Sequence, residues 1–118
     1  MAKDIVERCV AYALRIIRLY RELDKDNVGR ILGRQLLRSG TSIGANMHEA
    51  QGGQSKADFI ARVSVAHKEA LESAYGLRLI REGEILPAAR TGELSDETEQ
   101  LIKILSSILL SAKQTVKK

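Results

Sequence analysis

Seven polar side chains carry the most specific chemistry in the sequence. Arg38, Ser42, Asn46 and Glu49 follow one another at steps of four, four and three, and Lys68, Glu69 and Glu72 recur further along. On a helix such spacings put each set on one face, so the two sets can form facing halves of a polar seam. Two kinds of chemistry suit a seam of this composition. One is a mutually satisfied buried network that fixes helix register, because a bare guanidinium or carboxylate among apolar neighbours is costly. The other is a polar patch that contacts RNA or a protein partner. The residues favour the structural reading.

Other reactive residues point to less. A carboxylate-bridged dimetal site in a helical bundle needs Glu-x-x-His pairs. Three residues before His48 and His67 stand Ala45 and Ser64, so neither a metal nor any other cofactor is expected. His67, close in sequence to Glu69 and Glu72, is a candidate for a proton-transfer pair or simply a surface histidine. Cys9 falls on an apolar row and reads as a small core residue rather than a nucleophile. No strand is evident, so no Gly-rich phosphate loop follows one. Nothing in the sequence points to an enzyme.

Cations offer a third chemistry. The formal charge is +4, and residues 1–40 hold nine basic and five acidic side chains, against six and ten in residues 41–100. Residues 101–118 add four lysines. Arg15 and Arg18 lie with Arg8 opposite the apolar rows of the first helix, while Arg30, Arg34 and Arg38 step by four along the second. Such ridges suit a polyanion such as RNA or DNA, bound through its backbone charge. They also suit plain solvation of outer faces, and the first ridge lacks the interleaved aromatics of a single-strand stacking platform.

Helices must position these residues. The chain of 118 residues is 44% hydrophobic and only 3% aromatic, with one proline. Strands favour aromatic and β-branched residues, and the periodic segments here are filled with good helix formers. Ile5, Cys9, Tyr12, Ile16, Leu19 and Leu23 predict a first helix from about Asp4 to Leu23, with Val6, Val10, Ala13 and Ile17 as a second apolar row. A turn at residues 24–27 offers Asp26 or Asn27 as a cap, and a second helix follows from about Val28 to Gln51. Within it Ser39, Gly40, Gly44 and Ala45 are nearly bare, and two glycines cost roughly 1 kcal/mol each, which implies a close neighbouring backbone. Gly52 and Gly53 end this helix through a left-handed cap.

Ser55 and Asp58 form a capping-box pattern that opens a third helix, from about Lys56 to Glu82. Its small middle, Ala66, Ala70 and Ala74, predicts close antiparallel contact with the bare stretch of the second. Gly83 to Leu94 reads as a long connection, and Ser95, Asp96 and Glu97 as the cap of a fourth helix. Leu101, Leu105, Ile108 and Ala112 make its inner face, with Ile102, Leu109 and Val116 beside it. The expected fold is all-α: one domain over residues 1–118, an antiparallel up-down-up-down four-helix bundle. One cysteine, no signal-peptide core and no run of ~20 apolar residues place it in the cytoplasm, away from membranes.

Residues 38–51 (RSGTSIGANMHEAQ), 55–62 (SKADFIAR) and 68–73 (KEALES) together resemble the bacterial four helix bundle protein family. Its members include the proteins encoded in intervening sequences of 23S ribosomal RNA genes. The likeness spans nearly the whole chain. Arg38, Ser42, Ile43, Asn46, Glu49, Phe59, Lys68, Glu69 and Glu72 match the family pattern, while Gly76 and His48 stand where many relatives have Trp and Arg. The resemblance implies a ring-like homopentamer, which would cover the second apolar rows. It also implies association with nucleic acid, with no catalytic residue. A distant branch of the fold serves as an accessory subunit that binds the reverse transcriptase of diversity-generating retroelements, so a protein-interaction scaffold is the rival expectation.

Overall fold

In the computed structural model, the backbone is described for residues 2–117 and side chains for residues 4–114. Val116, expected in the second row of the last helix, lies outside the described side chains. Four helices run in sequence: α1 (Ala2–Leu23), α2 (Asn27–Gln51), α3 (Lys56–Glu82) and α4 (Ala88–Lys117). Asp26 caps α2 by accepting from the Gly29 amide at 2.8 Å. Ser55 caps α3, accepting from the Asp58 amide at 3.1 Å. Each cap satisfies an amide that has no partner within its own helix.

Contacts fix an antiparallel order. Along α1 and α2, Cys9 lies opposite Gly44, Ile16 opposite Gly40 and Tyr20 opposite Gly33. Between α2 and α3, Ser39 meets Ser73, Arg38 meets Glu72 and Glu49 meets Arg62. Arg8 with Glu97 and Glu22 with Arg90 align α1 against α4. The bundle measures 50 × 21 × 20 Å. Neighbours in sequence pack closely, whereas α1 and α4 approach each other far less.

The bare stretch of α2 serves two neighbours rather than one. Its glycines face α1, whereas the expected close neighbour was α3. A Cβ at Gly40 would sit 2.9 Å from Ile16, and one at Gly44 would sit 3.1 Å from Cys9. The glycines thus bring the α1 and α2 backbones together, while Ser39, one residue around the helix from Gly40, turns to α3. Of the small middle of α3, Ala66 and Ala70 are fully buried in the core, Ala74 is only partly buried, and Ser73 beside it makes the contact with α2.

Two expected boundaries differ. Gly52 ends α2 with φ −96°, and no glycine among the described residues has positive φ. The left-handed cap lies instead on α3, at Glu84 with φ 59°. There the Ile85 amide donates to the Ile80 carbonyl and Glu84 to Arg81, at 3.0 and 3.1 Å. This pair of bonds is the Schellman arrangement. The expected long connection is only the short link 83–87. Pro87, which has no amide to satisfy, stands just before α4 and accepts from the Arg90 amide at 2.9 Å, as proline favours helix starts. Ser95 is therefore inside α4, and Thr91 and Leu94 carry the buried row of Thr98, Leu101 and Leu105 one turn further back.

Candidate nucleic-acid interface

The polar seam forms between α2 and α3, along the outer edge of their contact. Arg38 donates to Glu72 at 2.7 Å and to Glu69 at 3.3 Å, and Ser42 donates to Glu69 at 3.4 Å. Asn46, almost buried, donates to the Ser42 carbonyl and hydroxyl at 2.9 and 3.1 Å. Arg62, absent from the expected set, completes the seam with Glu49 at 3.1 Å and Asn46 at 3.5 Å. Lys68 makes no hydrogen bond or ion pair, and it acts on Glu72 through charge alone. Hydrogen bonding with Glu69 and Arg38 holds the Glu72 carboxyl below the usual range, and the Glu72 hydrogen bond raises the Arg38 guanidinium. The Arg38 side chain stays 58% exposed, so the seam is half solvated rather than sealed. Its one orphan is the buried Glu69 Oε1.

A second polar feature lies at the centre of the bundle, where sequence reasoning saw only core. Tyr12 of α1, Ser39 of α2, Ser73 of α3 and Thr98 of α4 are all buried. The Tyr12 and Thr98 oxygens lie 2.6 Å apart, and those of Ser39 and Ser73 lie 2.8 Å apart. Thr98 donates its only proton to the Leu94 carbonyl at 2.7 Å, so Tyr12 donates to Thr98. One pair thus joins α1 to α4 and the other joins α2 to α3, with one hydroxyl from every helix. Burial pushes the Tyr12 phenol up to about 12, against the opposing pull of Thr98 and Ser73. Cys9 beside it is fully buried, and burial raises its thiol to about 11.

Among the basic residues proposed from sequence, ion pairing separates two groups. Arg38 is held by the seam, Arg30 pairs with Asp24 at 3.1 Å and Arg15 approaches Glu93 at 3.8 Å. Arg18 and Arg34 make no ion pair, and the same holds for Arg21 and Lys25, which the spacing argument passed over. These four unpaired cations all lie on the hairpin of α1 and α2. Arg8 does not stand alone opposite the core. It reaches α4, where its Nε and Nη2 bind the two Glu97 carboxylate oxygens at 2.7 and 2.8 Å. That contact lowers the Glu97 pKa.

Beside Arg15 and Arg18, a cleft of about 290 Å³ also takes in Glu22, Arg90 and Glu93. Its charges largely cancel. At the opposite end of the bundle an apolar groove of about 480 Å³ lies among Ile5, Met47, Phe59, Ile104 and Ile108. His67 makes no bond to Glu69 or Glu72, since residues two apart on a helix do not share a face. Among the described residues, no three His, Cys, Asp and Glu side chains are grouped to hold a metal ion. No helix there is long and apolar enough to cross a membrane.

Residues 2–107 match the family described as 23S rRNA-intervening sequence protein. A crystal structure of a protein with unknown function from the S23 ribosomal protein family of Bacteroides thetaiotaomicron is similar in fold, with a TM-score of 0.84. The two sequences are 36% identical over 89% of this chain and 97% of that one. No curated protein matches the chain. The four-helix architecture, the extent of the family match and the identity to a solved relative agree: this chain belongs to the 23S rRNA-intervening sequence protein family.

Proposed function

We propose that the protein is a non-enzymatic helical bundle that binds structured RNA through backbone charge, at the α1–α2 hairpin. The observation that carries this reading is the set of unpaired cations Arg18, Arg21, Lys25 and Arg34 on one hairpin. Arg15 and Arg30 flank them on loose or exposed pairs that a phosphate can displace. Arg38, committed to two carboxylates, contributes less. The resemblance to the family, which implies association with nucleic acid, supports RNA as the polyanion. The experiment is a salt titration of RNA affinity with wild-type protein and Arg18→Glu/Arg34→Glu. Wild-type affinity should fall steeply with salt, and the variant should show a shallower slope by about 0.7–0.9 per lost phosphate contact. An unchanged slope would reject this site.

A second reading draws on surface hydrophobicity. Val10 and Leu14 on α1 and Val28 and Ile31 on α2 are about half exposed, more apolar surface than a lone bundle needs. This supports self-assembly, as the ring-like homopentamer implied by the resemblance. The same surface would serve a scaffold for an enzyme such as a retroelement reverse transcriptase. Retention of a protein partner with no response to RNA would favour that scaffold over the RNA reading.

A further inference from the structure

We propose that a cleft on the outer flank of α3 and α4 binds an unpaired nucleotide of single-stranded RNA, its base stacked on Tyr75 and its phosphate held by Arg78 and Arg81. The inference rests on the RNA reading above but uses other helices and other residues. The cleft is about 290 Å³ in volume and is lined by Ala74, Tyr75, Arg78, Arg81, Ser95 and Glu99. That is close to the lower size of small-molecule sites, roughly 300 Å³, and suits one nucleotide rather than a helix.

Three features point to this occupant. Tyr75 is 63% exposed, whereas Tyr12 is buried and Tyr20 and Phe59 are partly covered. An aromatic face in water adds nothing to the core, and it is the surface on which bases of any identity stack. Arg78 follows three residues on, so it shares a helix face with Tyr75. Arg78 and Arg81 both approach the single carboxylate of Glu82, at 2.7 and 3.8 Å. One carboxylate serving two guanidiniums leaves spare N–H donors for a phosphate, while Glu99 on the facing wall brings the formal charge of the cleft close to zero.

The facing α4 wall supplies the third feature. The Ser95 hydroxyl is buried and has no hydrogen-bond partner, a costly state that an occupant with a polar edge would relieve. Glu99 stands one turn along the same wall and can only accept while ionised. It therefore matches a base that presents an amino group, as cytosine does at N4, and mismatches the carbonyl that uracil has there. Cytosine should bind in preference to uracil.

The test is a titration of the full chain with labelled oligocytidylate, oligouridylate and duplex RNA, read by anisotropy and by tyrosine emission. The chain has three tyrosines and no tryptophan, so stacking on Tyr75 is seen directly as quenching. Oligocytidylate should quench that emission and bind more tightly than oligouridylate. Tyr75→Ala should weaken oligocytidylate binding about 5- to 150-fold, with duplex binding unchanged. Tyr75→Phe should keep the affinity and lose the quenching, and Glu99→Gln should erase the preference for cytosine. Tyr75→Ala that binds oligocytidylate as wild type does would overturn the cleft. If Arg18→Glu/Arg34→Glu still weakened duplex binding, the hairpin reading would stand without it. Wild-type protein that bound none of the three RNAs would overturn both.

Discussion

Tyr12 joins α1 to Thr98 of α4 at the centre of the bundle, and removing its hydroxyl tests that bond directly. Tyr12→Phe leaves Thr98 bonded to Leu94 and Ser73 bonded to Glu69 at 2.9 Å, so the expected loss is moderate. About 1 kcal/mol, or a fall of roughly 3–6 °C in Tm, should appear in a thermal melt. The phenol also sets a pH dependence. Its pKa rises from the ordinary 10 to about 12 in the fold, so the folded state retains a proton that the unfolded chain releases. That contribution is complete below pH 10 and is lost as pH rises toward 12. Denaturant unfolding between those values should show declining stability, and Tyr12→Phe should flatten the decline. Spacing alone revealed the seam of Arg38, Ser42, Asn46, Glu49, Glu69 and Glu72. Arg62 escaped notice although it precedes Glu69 by seven residues on the same face. The central hydroxyls escaped because Tyr12 falls on an apolar row and Thr98 directly follows the expected cap of Ser95, Asp96 and Glu97.

Helix ends were less legible than helix faces. The bounds of α3 and the caps Asp26 and Ser55 follow from local patterns, since each cap acts on an amide only three residues away. The start of α4 did not, because Gly83, Pro87 and Gly92 together suggest a loop, although Pro87 alone also suits a helix start. Burial of Thr91 and Leu94 against the core outweighs those signals. Glycines then behave differently according to their surroundings. A Cβ at Gly92 meets nothing within 4 Å, so Gly92→Ala should stabilise by about 1 kcal/mol. A Cβ at Gly29 would lie 2.6 Å from the Leu23 carbonyl oxygen, so Gly29→Ala should destabilise by about 1–3 kcal/mol. Glu84 holds a left-handed conformation that glycine adopts freely, and Glu84→Gly should add about 0.5–1 kcal/mol. Chemical denaturation of the three variants checks both signs at once.

Across the molecule, charge and hydrophobicity point outward. The exposed valine and leucine at positions 10 and 14 should matter to assembly more than to the fold. Val10→Glu/Leu14→Glu is expected to lower the mass seen by light scattering while helicity by circular dichroism is kept. A sequence shows which cations exist but not which are neutralised, because pairs such as Arg8 with Glu97 join residues 89 positions apart. That is why Arg21 and Lys25 emerged only in three dimensions, and why Arg38, expected both in the seam and as an RNA contact, is found bound to Glu69 and Glu72 of the seam.

The sparse approach of α1 to α4 bears on how the chain reaches its fold. Every close interface joins helices adjacent in sequence, so most contacts can form with little loop closure, and folding should be fast. The α1–α4 pairing, with Arg8, Tyr12, Thr98 and Glu97, is the long-range exception and should close after the rate-limiting step. Stopped-flow measurements on Tyr12→Phe should then show faster unfolding and an almost unchanged folding rate. In that case the two outer helices act as the latch of an already assembled barrel of hairpins.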